Sequence, residues 1–205
     1  MPSYASSQPE TIAIVQADLP NLRQYLLDLF CQAAYREGEF LLSSGQHSHY
    51  YINGKQVTLH PLGGLAVGRM LLAMLPDQAQ AVAGLTLGAD PLVTATSVVA
   101  AYEGRLVTPL IVRKEAKGHG TQAYLEGPTL APDSLVVVLE DVVTTGQSAL
   151  KAVDRLRQAG YRVEQIIALV DRHQGGAELY AEQGLIFNTV FSIQDIQNRW
   201  AELQP

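Results

Sequence analysis

Apolar segments with two different periods alternate along this chain from residue 61 onward. The short, continuous apolar runs that are typical of buried strands are 82–86, 107–112, 135–140, 163–170 and 187–191. The segments with helical spacing are 61–75, 91–102, 147–159, 175–183 and a last one that runs to about residue 203. This alternation predicts an α/β fold with a central parallel sheet flanked by helices.

The first 60 residues follow a different pattern. Residues 18–37 predict an amphipathic helix that has Asp18 as N-cap and Pro20 in its first turn. Two short extended pieces follow around Ser44 and Gly45, and they predict a small hood. We therefore expect an N-terminal helix and hood over residues 1–60 and an α/β core over residues 61–205.

The stretch from Leu135 to Ser148 contains the most informative polar residues. Its apolar run leads into Glu140 and Asp141, followed by Val142 and Val143, and a turn rich in hydroxyls and glycine then precedes the next helix; the turn residues are Thr144, Thr145, Gly146, Gln147 and Ser148. A turn at a helix N-terminus offers backbone N–H groups to an anion. Two acids beside it fit a phosphorylated ribose, because its hydroxyls donate hydrogen bonds and its anomeric carbon becomes positive during reaction. The alternatives are ordinary helix caps and solvated acids at a strand end.

A long connection between two predicted strands is the second informative feature. About 20 residues separate Val112 from Leu135, and connections of that length are uncommon unless they are lids or disordered. The connection contains four basic side chains, with glycines on both sides of the last one: Arg113, Lys114, Lys117 and His119. It predicts a cationic lid that closes over an anionic substrate, and a solvated run of charges is the alternative.

Composition excludes several classes of protein. The chain has 14 Lys and Arg against 20 Asp and Glu, and a net charge of −6 does not favour nucleic-acid binding. No stretch approaches the roughly 18 apolar residues of a membrane span, and the first residues lack the features of a signal peptide. One cysteine, Cys31, allows no internal disulfide, and we expect it to be a packing residue. We expect a cytoplasmic protein without nucleic-acid or membrane partners.

Four segments resemble a known family. VVVLEDVVTTGQS resembles the phosphoribosyl-pyrophosphate signature of type I phosphoribosyltransferases, and RKEAKGHGT resembles the catalytic loop of the orotate phosphoribosyltransferases among them. SSGQHSHYYINGK and Val170-Asp171-Arg172 resemble the hood and the substrate-binding arginine motif of the same subfamily. The resemblance implies the type I phosphoribosyltransferase fold and transfer of ribose 5-phosphate from phosphoribosyl pyrophosphate to orotate. It also implies Mg²⁺ dependence and a homodimer in which the lid of one subunit covers the active site of the other.

The resemblance also implies roles for individual residues. Lys117, His119, Glu140 and Asp141 would be catalytic. The phosphoribosyl pyrophosphate would contact these four together with Arg113, Lys114, Val142, Val143, Thr144, Thr145, Gly146, Gln147 and Ser148. Orotate would contact Thr144 and Arg172, for which a surface ion pair with Asp171 or Glu178 is the alternative. No protein ligand of the metal is assigned.

Two positions depart from the pattern of many relatives. Those relatives have a lysine where this chain has Ser43, and another in the loop Thr86–Asp90, at Gly88. Tyr50 and Tyr51 could cover the base or simply pack in the hood.

The competing hypotheses for the function are a type I enzyme that uses another base and a non-catalytic sensor of phosphoribosyl pyrophosphate. Lys117 and His119 argue against the sensor, because binding alone would not need them.

Overall fold

A computed structural model describes residues 13–41, 47–117 and 124–204. The strands in chain order are β1 (Tyr35–Leu41), β2 (His47–Ile52), β3 (Ala81–Leu85), β4 (Thr108–Val112), β5 (Leu125–Glu126), β6 (Val136–Val143), β7 (Gln165–Asp171) and β8 (Ile186–Ser192). The helices are α1 (Leu19–Leu29), α2 (Lys55–Thr58), α3 (Pro61–Met74), α4 (Asp90–Tyr102), α5 (Gln147–Gln158), α6 (Gly176–Glu182) and α7 (Ile193–Leu203). The predicted alternation of strands and helices from residue 61 onward is confirmed.

The main sheet has six strands in the order β5-β4-β3-β6-β7-β8. All neighbouring strands in it are parallel except β4 and β5, which are antiparallel. The chain proceeds outward in one direction from β3 and in the other direction from β6. A ligand binds beyond the carboxyl ends of the two strands where the order reverses, so this topology predicts a site beyond β3 and β6.

Helices cover both faces of this sheet. Alternate strand residues such as Val137, Leu139 and Ile167 pack into one core cluster together with α1, α3, α4 and α7. The intervening residues, such as Val136 and Val138, pack into a second cluster together with α5 and α6. Because successive strand side chains point to opposite faces, a sheet buried on both sides needs uninterrupted apolar runs. That is the pattern from which the α/β class was predicted.

The predicted helix over residues 18–37 is wrong at its C-terminal end. Asp18 caps α1 and accepts a hydrogen bond from the Asn21 amide (3.0 Å), as expected, but the α-helix ends at Leu29 and continues as a π-helix to Ala34. Tyr35 then begins β1, which pairs with β2 in a separate two-stranded sheet. Burial of the Tyr35 ring against Tyr50 and Trp200 favours this ending over continued helix.

The predicted connection between residues 113 and 134 is less irregular than expected. It contains β5, which adds a short antiparallel edge to β4 at Ile111 and Val112. Gly118, His119 and Gly120 lie outside the described residues, and so do Ser43, Ser44 and Gly45 of the hood. The division at residue 60 stays a prediction, since α1 shares a core cluster with α3.

Candidate active site

The turn between β6 and α5 encloses a cavity of about 120 Å³. Its lining residues are Glu140, Val142, Val143, Thr144, Thr145, Gly146, Gln147, Ser148, Ala149 and Tyr180. The N-cap of α5 is Gly146, whose φ is 82°, and no side chain caps this helix. The predicted hydroxyl residues therefore do not serve as helix caps. The first backbone N–H groups of α5 remain available to an anion.

Tyr180 forms the floor of this cavity. Its side chain is fully buried, and its ring meets that of Phe187 edge-on, with a centroid distance of 5.1 Å. A Cβ atom on Gly146 would lie 2.9 Å from Tyr180 Cε1, so the ring leaves room only for glycine in the turn. The Tyr180 hydroxyl and Glu140 Oε2 are both buried and have no hydrogen-bond partner among the described residues. Two polar groups beside the anion site are therefore unsatisfied by the protein.

The two acids at the end of β6 occupy different surroundings. Glu140 is 7% exposed, and its burial, together with the nearby charge of Asp141, raises the pKa of its carboxyl from 4.5 to about 8. Glu140 is therefore not the solvated acid of the alternative interpretation. Asp141 is half-buried, and its Oδ1 accepts a hydrogen bond from the Val142 amide (2.9 Å). The structure thus separates a buried carboxyl from one that is open to a ligand.

The loop that follows β3 reaches the same carboxylate. A Cβ atom on Gly88 would lie 2.6 Å from Asp141 Oδ1, and one on Gly54, just before α2, would lie 3.2 Å from Oδ2. A lysine at position 88 would therefore displace the Asp141 carboxylate.

The basic cluster is partly neutralised by an acid that the sequence did not single out. Arg113 Nη1 lies 2.8 Å from Glu126 Oε1 on β5, and Lys117 Nζ lies 3.6 Å from the same oxygen. These two cations hold the pKa of Glu126 below its usual range. The charge of Lys114 offsets a small part of the rise in the pKa of Glu140. His119 lies outside the described residues.

Arg172 lies next to the turn between β6 and α5 and has no acidic partner among the described residues. Its backbone N–H donates to the Val143 carbonyl (2.9 Å), and its Nε donates to the Tyr50 hydroxyl (3.0 Å). Its Nη2 donates to Ser48 Oγ (3.4 Å), and its guanidinium lies 4.6 Å from the centroid of the Tyr50 ring. The predicted alternative, an ion pair with Asp171 or Glu178, is not formed. The Asp171 carboxylate lies 3.5 Å from His173 Nε2 instead.

The two hood tyrosines differ in their contacts. Tyr50 stacks on Tyr35 with a centroid distance of 5.9 Å and orients Arg172. Tyr51 is 44% exposed and packs on Phe40, with 5.6 Å between centroids. Sequence reasoning could not distinguish them, because the partners of Tyr50 come from distant parts of the chain. For the same reason, no local signal marked Glu126 or Tyr180.

The described part of the chain lacks two features, a cluster of metal-ligating side chains and a helix that could span a membrane. No group of three or more His, Cys, Asp or Glu side chains within residues 13–41, 47–117 and 124–204 could hold a metal ion. Over the same residues, no helix is both long and apolar enough to cross a membrane.

Comparison with known proteins gives concordant matches. The family model for uracil phosphoribosyltransferase matches residues 91–182. An orotate phosphoribosyltransferase from Nostoc sp. (strain PCC 7120) is 68% identical over 91% of this chain and 91% of its own length. A crystal structure of orotate phosphoribosyltransferase from Mycobacterium tuberculosis with Fe(III) dicitrate has a TM-score of 0.76 and 36% identity; the match covers 85% of this chain and 98% of that one. A structure of the same mycobacterial enzyme with phosphoribosyl pyrophosphate has a TM-score of 0.70 and 32% identity, covering 86% and 99%.

The matches confirm the predicted fold class and the resemblance read from the four motifs. The identity to the Nostoc relative extends over nearly the whole of both chains, and solved structures above 30% identity share the fold. The chain therefore belongs to the orotate phosphoribosyltransferase family, a group of type I phosphoribosyltransferases.

Proposed function

We propose that this chain transfers ribose 5-phosphate from phosphoribosyl pyrophosphate to orotate at the cavity between β6 and α5, forming orotidine 5′-monophosphate and pyrophosphate. The observation that carries the choice of orotate is Arg172. Its guanidinium is held by the hydroxyls of Tyr50 and Ser48 and, among the described residues, forms no ion pair with a carboxylate. Such a planar cation is suited to bidentate pairing with the carboxylate that distinguishes orotate from uracil.

The 5-phosphate binds in the turn between β6 and α5. The uncapped N–H groups of α5 and the hydroxyls of Thr144, Thr145 and Ser148 supply donors, and the positive end of the helix favours the negative charge. Val142, Val143, Gly146 and Gln147 shape the same cavity. Thr144 also contacts the orotate ring.

The acids act on the ribose. Glu140 and Asp141 accept hydrogen bonds from its hydroxyls, and the negative charge of Asp141 favours the positive charge that develops at the anomeric carbon. The bond from this carbon to the pyrophosphate oxygen breaks as the bond to the orotate nitrogen forms. The nitrogen loses its proton to solvent, and pyrophosphate leaves with the bonding electron pair.

The basic cluster stabilises the leaving group. Lys117 and His119 neutralise the charge that builds on the bridging oxygen, and Arg113 and Lys114 contact the pyrophosphate. Arg113 and Lys117 must exchange their contact with Glu126 for the pyrophosphate. An exposed ion pair contributes only about 0–1 kcal/mol, so this exchange costs little.

Members of this family use a divalent cation with phosphoribosyl pyrophosphate, and we propose Mg²⁺. The residues present fit a metal bound mainly through the substrate, since the described residues contain no group of three or more metal-ligating side chains. Glu140 and Asp141 offer carboxylate oxygens at the end of β6, and Glu140 Oε2 has no hydrogen-bond partner among the described residues. When bound near Glu140 and Asp141, Mg²⁺ would neutralise negative charge on the pyrophosphate and so favour its departure.

We also propose a homodimer with lids shared between subunits, in the cytoplasm. Support for a second copy comes from α4, where Val98 and Tyr102, one turn apart, are 64% and 93% exposed. Leu106, just beyond the helix, is 87% exposed. Adjacent exposed apolar side chains of this size are typical of an interaction surface.

Transfer to uracil is the second candidate, because the family model that matches residues 91–182 is that of uracil phosphoribosyltransferase. That model spans less than half of the chain and leaves out the hood that holds Arg172. The identity to orotate phosphoribosyltransferases extends over the hood as well.

Substitution of Arg172 tests the proposed choice of base. We expect Arg172→Gln to raise the KM for orotate by about tenfold or more while the KM for phosphoribosyl pyrophosphate stays nearly unchanged. Arg162→Gln is the matched control, because Arg162 is an exposed arginine that pairs with Glu164 (3.1 Å). An unchanged KM for orotate in Arg172→Gln would remove this residue from the site.

A further inference from the structure

One arginine on α5 contacts both ends of the segment that carries the basic cluster. Arg155 Nη1 donates to the backbone carbonyl of Arg113, and its Nη2 donates to that of Lys114 (2.9 Å). Its guanidinium lies 4.1 Å from the centroid of the Tyr124 ring. One side chain thus contacts the backbone at the first two residues of the cluster and the ring of Tyr124, which follows the cluster.

A backbone hydrogen bond also joins the two ends of the segment that Arg155 contacts. The Arg113 amide donates to the Tyr124 carbonyl (2.7 Å), so the two ends that Arg155 contacts also contact each other. A guanidinium presents several donors in a rigid planar fork and also stacks on aromatic rings. Arg155 uses both properties, and it is half-buried between α5 and the segment.

The position of Arg155 on α5 links the segment to the phosphate turn. The helix begins at Gln147, directly after the turn, and Arg155 lies about 12 Å further along its axis at 1.5 Å per residue. A packed helix is rigid over this distance. The helix that would bind the 5-phosphate at one end therefore holds the basic segment from its other half.

We propose that Arg155 is a positioning residue for the phosphoribosyl transfer, holding the backbone at Arg113 and Lys114 so that the basic side chains of residues 113–117 meet the pyrophosphate. The inference rests on the proposed function of the basic cluster. Arg155 does not contact the substrate, and it acts through the segment.

The test compares Arg155→Ala with Arg157→Ala. Arg157 lies on the same helix, but its Nη2 donates to the Val163 carbonyl (2.8 Å), away from the basic segment. We expect Arg155→Ala to lower kcat by about tenfold and Arg157→Ala by less than about twofold, with similar thermal unfolding midpoints. Arg155→Lys should remain as slow as Arg155→Ala, because an ammonium group cannot reproduce the fork and the stacking.

A double-mutant cycle tests whether the loss of kcat in Arg155→Ala arises through the basic cluster. If Arg155 acts through the basic cluster, Arg155→Ala should lower kcat by less than about twofold further in a Lys117→Ala background. Full additivity, full rescue by Arg155→Lys, or an unchanged kcat in Arg155→Ala would each overturn the proposal. Wild-type turnover of orotate is measured first. Its absence contradicts the proposed function, whereas wild-type turnover with a normal Arg155→Ala contradicts only the role of Arg155.

Discussion

Glu140 and Asp141 are adjacent in the chain, yet their carboxyl groups lie in different surroundings. Glu140 lies in the interior with one carboxylate oxygen unpartnered among the described residues, and the pKa of its carboxyl is raised to about 8. At neutral pH the ligand-free protein therefore favours the neutral form of Glu140. The pair repels an incoming pyrophosphate less than two ionised acids would.

This raised pKa predicts how stability depends on pH. The folded state keeps the Glu140 proton up to about pH 8, whereas the unfolded chain releases it near 4.5, so the folded state binds more protons in between. The free energy of unfolding should therefore fall as pH rises from about 5 to 8 and level off above that range. The Glu140→Gln protein lacks this contribution.

Urea denaturation of both proteins at several pH values measures the effect. The difference in unfolding free energy, wild type minus Glu140→Gln, should decline over this range. Glu182→Gln, at an exposed position on α6, is the control and should show a flat difference. A Glu140 difference that is flat or that rises with pH would refute the buried, protonated carboxyl.

Position 146 requires glycine for two reasons, its backbone angle and its contact with Tyr180, and comparison with Gly160 separates them. Its φ of 82° disfavours other residues, and a Cβ atom would collide with the ring of Tyr180. Gly160 has a similar φ of 89° but nothing within 4 Å of its Cβ position. Gly160→Ala should therefore cost only the backbone strain of about 1–2 kcal/mol.

Gly146→Ala should in addition distort the phosphate turn. We expect its KM for phosphoribosyl pyrophosphate to rise by about tenfold or more, while Gly160→Ala keeps a nearly normal KM. Steady-state kinetics at saturating orotate makes the comparison. Equal KM values in the two variants would mean that the Tyr180 contact does not shape the site.

At the scale of elements, periodicity predicted the core strands and helices within a few residues. It failed where a long-range contact decides the local structure. Residues 35–37 have helix-compatible spacing, but pairing of Tyr35 with Ile52 makes them a strand. β5 is too short to show a period, and only its pairing with β4 defines it. The residues of the turn that lines the cavity belong to a local motif and were predictable, whereas the contacts of Glu126, Tyr180 and Arg155 come from distant segments that no local pattern encodes.

Contact between the β1–β2 hairpin and the loop after β7 predicts a specific effect on orotate. Tyr50→Phe removes the hydroxyl that accepts from Arg172 Nε but keeps the ring under the guanidinium. The KM for orotate should rise by about three- to tenfold, because Arg172 loses its orientation, and the KM for phosphoribosyl pyrophosphate should not change.

Tyr51→Phe provides the matched control in the same strand. Tyr51 packs on Phe40 and makes no contact with Arg172, so its loss of a hydroxyl should leave both KM values unchanged. If Tyr50→Phe behaves like Tyr51→Phe, the hood does not orient the arginine.

For the whole molecule, the order of strands explains why distant segments meet. β3 and β6 are neighbours at the centre of the sheet, and the chain leaves them in opposite directions. The loop around Gly88 and the turn at Gly146 therefore face each other beyond the two strands, with Asp141 between them. Arg172 joins them because β7 lies next to β6.

The shared lid of the proposed homodimer predicts complementation between inactive subunits. Lys117→Ala impairs the lid and Asp141→Asn impairs the ribose site, so each pure dimer should be nearly inactive. Mixed after unfolding and refolding, the two should regain about a quarter of wild-type activity, since half of the dimers are mixed and each has one intact site. No regained activity would show that the lid serves its own subunit or that subunits act alone.

Base selectivity tests whether this chain uses orotate as the acceptor of the ribose 5-phosphate. Purified protein is mixed with phosphoribosyl pyrophosphate, Mg²⁺ and either orotate or uracil, and absorbance follows loss of the base. We predict that kcat/KM for orotate exceeds that for uracil by at least about a hundredfold, because only orotate offers a carboxylate to Arg172. Faster turnover of uracil, hypoxanthine or adenine than of orotate would contradict it.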